Sequence, residues 1–74
     1  MEKIINEEER MRVCKRIAEL RKERGLSQAQ LAALCGIRQE HIARIESGRH
    51  SAGLDTLIQI ATALGAKIDL IINE

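Results

Sequence analysis

Seventy-four residues, 45 % of them hydrophobic and none of them Phe, Trp or Tyr, make one small domain, and a core of that size buries only about 60 % of the surface its unfolded chain exposes. The absence of proline and the 31 % of charged residues favour short helices over a sandwich or barrel, and no apolar run nears the ~20 residues that a membrane span needs. The net charge of +1 hides a division: residues 1–9 carry one Lys against four Glu, residues 10–50 ten Lys or Arg against four Glu, and residues 51–74 one Lys against three acids, so the middle of the chain points to an anionic partner.

The first helix is predicted to start at Asn6, whose spacing to Glu9 matches a capping box, with Glu7 to Glu9 lying where the helix dipole favours negative charge. Val13, Ile17, Leu20 and Arg24 mark one face; Arg12, Lys15, Arg16, Glu19 and Lys22 mark the other. Gly25 ends this helix, and Leu26 folds back onto it. Ser27 and Gln30 form a second capping box, so helix 2 runs from about Gln28 to Gly36. Helix 3 follows from about Arg38 to Ser47, with Ile42 and Ile45 inward and Gly48 as its stop. Helix 4 starts near Gly53 or Leu54, carries an apolar stripe of Leu54, Leu57, Ile58, Ala61 and Leu64, and ends at Gly65. The tail changes period: Ile68, Leu70 and Ile72 alternate with Asp69, Ile71 and Asn73, which predicts a strand. Lys3 to Ile5 are a weak second strand candidate. The expected fold class is mainly all-α, four helices and a short C-terminal β-strand in a single domain over 1–74, with a helical core over 6–65 and a strand over 66–74.

Cys14 and Cys35 sit among helix-forming residues with no secretion signal ahead of them, so they are expected to be reduced, buried thiols in a cytoplasmic protein. With His41 and His50 they form no close pair of the kind structural zinc sites contain, and no metal is expected. There is no glycine-rich phosphate loop and no room for a substrate pocket, so neither an enzyme nor a cofactor is expected.

The stretch that carries function is Gln28 to Arg49, QAQLAALCGIRQEHIARIESGR. Two short helices meet at Gly36 with almost no loop between them. Ala32 is small enough for the helices to cross closely, Gly36 tolerates positive φ, and Leu31, Cys35, Ile37, Ile42 and Ile45 fill the inward positions. Those are the requirements of a helix-turn-helix. With Ile42 and Ile45 inward, Arg38, Gln39, Glu40, Ala43 and Arg44 fall on the exposed face and leading edge of helix 3. Their chemistry suits base edges: Arg pairs with guanine, Gln with adenine, Glu accepts from cytosine and Ala touches a thymine methyl. His41 reads as a flanking or phosphate contact. Ser47, Arg49 and His50, in the polar loop leading to the start of helix 4, form a natural phosphate clamp.

LRKERGLSQAQLAALCGI, HIARIESGR and LDTLIQIATALG together resemble the phage-repressor helix-turn-helix family of the Cro/cI, or xenobiotic-response-element, type, over about residues 10–65. The resemblance implies a lambda-repressor-like bundle, a DNA phosphate contact from Gln28, helix 3 in the major groove, and a buried ion pair between Arg21 and Glu46. One departure is Arg38, where the family usually has a capping Ser or Thr. The ending is similar to antitoxin repressors of the HipB type, which implies a protein toxin as a further partner. The expected function is therefore a homodimeric repressor of a palindromic double-stranded operator, with toxin neutralisation as the alternative. Dimerisation is expected through tail strands bearing Ile68, Leu70, Ile71 and Ile72, or failing that through helix 4 around Ile60.

Overall fold

A computed structural model describes residues 6–72. Four helices follow one another: α1 (Glu7–Glu23), α2 (Gln28–Cys35), α3 (Gln39–Glu46) and α4 (Leu54–Ala63). α2 packs against both α3 and α4, and α1 packs against α3.

The helix ends follow from a few residues. Three glutamates open α1, and Arg21 and Lys22 lie in its last turn, each sign complementing the dipole. Asn6 does not cap α1 as expected. Its φ of −90° and ψ of −13° are already helical, and no side-chain cap bond forms; a capping side chain needs an extended residue to reach back to the third N–H. Ser27, with φ −77° and ψ 166°, has that geometry. Its hydroxyl accepts from Gln30 N at 3.0 Å, and Ser27 N donates to Gln30 Oε1 at 2.8 Å. α1, α2 and α4 each end in a paired backbone closure, seen at α1 as Leu26 N donating to Arg21 O and Gly25 N donating to Lys22 O. At the helix-turn-helix junction Gly36 has φ +68°, a conformation that L side chains adopt only at a cost.

The core is Cys14, Leu31, Ala32, Cys35, Ile42, Ile45, Ile60 and Leu64, with Ile17, Leu20, Leu26 and Ile37 packed against it. α4 corrects the sequence reading. Its fully buried side chain is Ile60, whereas Leu54 and Ile58, from the expected stripe, are 62 % and 45 % exposed. α4 is apolar on two sides, and packing against α2 selects the one bearing Ile60. That burial also removes Ile60 as an alternative dimer contact.

The tail departs from expectation as well. Residues 66–72 hold no strand, and there is none among the described residues. A strand exists only by its ladder of backbone bonds to a neighbour, and the described part of this single chain supplies no such neighbour. Leu70, Ile71 and Ile72 stand 94 %, 87 % and 84 % exposed. Lys3 to Ile5, the other strand candidate, lie outside the described residues, as do Asn73 and Glu74.

Candidate nucleic-acid interface

The orientation of α3 is set by what lies beneath it. Ile42 and Ile45 are 1 % and 2 % exposed, and they anchor one side of an eight-residue helix. The opposite side therefore presents Glu40 and Arg44, one turn apart, flanked by His41 and led by Arg38 and Gln39, all exposed. Arg38, Glu40, His41 and Arg44 line one shallow concavity. Among the described residues, Arg38, Glu40 and Arg44 take part in no ion pair. Ala43 is half-buried at the edge of this face. Arg38 occupies the N-cap position with φ −76° and ψ 147° and makes no side-chain capping bond, since a guanidinium has no acceptor to offer the helix N–H groups.

An ion pair locks α3 to α1. Arg21 Nε donates to Glu46 Oε2 at 2.7 Å and Nη2 donates to Glu46 Oε1 at 3.0 Å, a bidentate arrangement. Both side chains are about nine-tenths buried. Arg21 Nη1 donates to Leu26 O at 2.8 Å, and the bonds to Glu46 raise the arginine's already high pKa. The start of α2 joins the same cluster, because Gln28 Nε2 donates to Glu46 Oε1 at 3.1 Å. Gln28 thus spends one of its two amide protons on Glu46 and keeps the other. Three helices meet at this one carboxylate.

The loop after α3 is similarly braced. Ser47 Oγ donates to Arg44 O at 2.6 Å and accepts from Arg49 N at 3.3 Å. Its one hydroxyl proton is therefore committed to the end of α3, which makes Ser47 a builder of the loop. Arg49 and His50 are exposed beyond it.

Several long-range contacts escaped the sequence reading, two of them at the ends of α2 and α3. Arg10 Nε donates to Gly48 O at 3.0 Å across 38 residues. Gln59 Nε2, from α4, donates to Cys35 O at 2.7 Å at the end of α2. Neither has a local signal, since spacing along the chain reports only neighbours within one element. Cys14 and Cys35 are free and buried, and burial pushes both thiols up from their ordinary value. Among the described residues there is no cluster of metal-ligating side chains and no helix long and apolar enough to cross a membrane.

Residues 17–71 match the helix-turn-helix family model HTH_3. The immunity repressor of Bacillus phage phi105 is 41 % identical over 86 % of this chain, which spans 44 % of that protein's length. An HTH-type transcriptional regulator of Haemophilus influenzae is 36 % identical over 95 % of this chain and 78 % of its own. Putative antitoxin HigA2 of Mycobacterium tuberculosis is 41 % identical over 78 % of this chain and 58 % of its own. Among solved structures, the restriction-modification controller protein C.AhdI from Aeromonas hydrophila superposes with a TM-score of 0.76 at 32 % identity, over 80 % of this chain and 89 % of that one. A toxin-antitoxin module from Streptococcus pneumoniae gives 0.72 at 33 % identity, over 90 % of this chain and 74 % of that one.

Proposed function

The chain belongs to the HTH_3 helix-turn-helix family of DNA-binding transcription regulators, which are not enzymes, and from that premise we propose that it is a homodimeric repressor that reads a palindromic operator with α3 in the major groove. The observation that carries this reading is the outer face of α3, where Arg38, Glu40 and Arg44 are exposed and unpaired among the described residues. Arg38, Gln39 and Arg44 carry donors of the kind that pair with base edges, and Ala43 offers a methyl for contact with thymine. Glu40 repels phosphate, so its place on that face favours a cytosine amino group as its partner. Phosphates are contacted around the rim. Arg49 and His50 do this from the loop and His41 from α3, and Gln28 does so with its remaining amide proton and the N–H groups at the start of α2.

The homodimer rests on the tail. Leu70, Ile71 and Ile72 expose their side chains almost fully, and a lone 74-residue aliphatic core gains most from added apolar burial. Two tails paired antiparallel about a two-fold axis, with Ile68 against the exposed Leu54–Ile58 side of α4, set two α3 helices about 34 Å apart, one turn of DNA. Deleting residues 67–74 is then expected to yield a monomer by sedimentation, with operator affinity reduced by orders of magnitude. A truncated protein that stays dimeric removes the tail from the interface.

A second reading, an antitoxin that neutralises a protein toxin, is favoured by the relationship to the Mycobacterium tuberculosis antitoxin and the Streptococcus pneumoniae module. The same exposed tail would then serve the toxin. Selection of binding sites from random duplex DNA tests the first reading: enrichment of a palindrome supports it, and recovery of no preferred sequence contradicts it.

A further inference from the structure

The α3–α4 loop is held from outside itself. Gly48 is buried with φ +74°, a backbone conformation that other residues rarely adopt. Its carbonyl accepts Arg10 Nε at 3.0 Å, and a Cβ at this position would run into Met11 Sδ. Its N–H donates to Ile45 O at 3.0 Å. One turn of α1 therefore seals both sides of Gly48, Arg10 by a hydrogen bond and Met11 by contact. Glu9, Arg10 and Val13 go on to line a cleft with Ser51 and Ala52 just before α4. Between Gly48 and that cleft the chain carries Arg49 and His50, both exposed.

We propose that Arg10 is a positioning residue for DNA binding: by donating to the Gly48 carbonyl it holds the loop in the conformation that presents Arg49 and His50 to a phosphate. The inference rests on the reading of that loop as a phosphate contact. Arg10 itself is half-buried and its Nε is spent on the carbonyl, so its influence reaches the phosphate through the backbone. A flexible loop would have to be ordered at each encounter, and the clamp removes that ordering from the binding step.

The test is a two-by-two set of full-length proteins titrated with the selected duplex and with scrambled duplexes. Arg10→Met keeps the apolar stem and removes the donor. It is expected to weaken binding to every duplex by about five- to tenfold, the worth of one hydrogen bond, and to leave base preference unchanged. Combined with Arg49→Ala, the same substitution is expected to matter by less than about twofold, because the two act through one loop. Arg10→Lys keeps a donor for the carbonyl and is expected to bind within about twofold of wild type. Wild-type affinity in Arg10→Met overturns the proposal, as does an equal loss in both backgrounds, which would mean that Arg10 touches DNA itself. So does a loss of about fivefold or more in Arg10→Lys, which keeps the donor, a result that can be read even if Arg10→Met does not fold. If Arg49→Ala alone binds like wild type, the phosphate reading of the loop fails, and that outcome is separate from an Arg10 effect that is missing while the Arg49 effect is present.

Discussion

α1 and the α3–α4 region are both rich in arginine, yet their guanidinium groups face different things. In α1, Arg12 pairs with Glu9 and Arg16 with Glu23, Arg21 is buried against Glu46, and Arg10 holds the Gly48 carbonyl. Arg24, just past the helix end, donates to Leu64 O at 3.0 Å and so satisfies a carbonyl at the end of α4. Arg38, Arg44 and Arg49 have no such ion-pair partners among the described residues. A count of charges along the sequence treats the two regions alike. The fold separates them, into arginines engaged with carboxylates or carbonyls of the chain and arginines with no ion-pair partner among the described residues.

The buried member of the first group should show the largest effect. Glu46→Gln leaves Arg21 with a weakened partner at a site about nine-tenths buried, and it is expected to destabilise the domain by about 3–5 kcal/mol, read as a lower urea midpoint. A midpoint matching wild type would place this pair with the exposed ones. In the second group, Arg44→Ala is expected to cost about 1–3 kcal/mol against the preferred duplex and to relax preference at one position of each half-site. Loss of affinity with preference intact would move Arg44 from the bases to the backbone.

Much of the fold beneath this division was legible in the sequence, and the part that was not has a physical cause. The helix-turn-helix was legible because its constraints are local: Ala32, Gly36 and the inward Leu31, Cys35, Ile42 and Ile45 sit at spacings that only one geometry uses. The Ser27–Gln30 capping box was legible for the same reason. Asn6 to Glu9 has similar spacing but no cap, because the box needs an extended first residue and Asn6 is helical. The inward side of α4 was read correctly at Leu64 and missed at Ile60, because Leu54, Leu57, Ile58, Ile60, Ala61 and Leu64 crowd most of its circumference, so contact with α2 decides which side is buried. The tail strand was expected from alternation alone, and residues 66–72 hold none, because a strand needs a neighbour to pair with. The partners of Arg10 and Arg24 lie 38 and 40 residues away, beyond any periodicity.

The buried thiols give a smaller prediction about the same core. Burial raises both cysteines, so the folded chain holds those protons more tightly than the unfolded one. Their contribution to stability is present below the ordinary thiol value of 9.0 and is lost as pH rises through the raised folded value. Iodoacetamide at neutral pH is accordingly expected to modify Cys14 and Cys35 only after denaturant is added. Rapid labelling of the native protein would show that α1 and α2 open readily.

The proposal that the unpaired arginines contact DNA while the partnered ones do not is tested most directly by the salt dependence of DNA affinity for two single substitutions measured side by side. Arg49→Ala is expected to weaken all duplexes alike and to make the slope of log affinity against log salt shallower by about one unit, the loss of one phosphate contact. Arg16→Ala, which removes an exposed pair with Glu23, is expected to leave that slope at the wild-type value. Equal changes in slope for the two variants would contradict the account, because α1 would then carry phosphate contacts of the same kind as the α3–α4 loop.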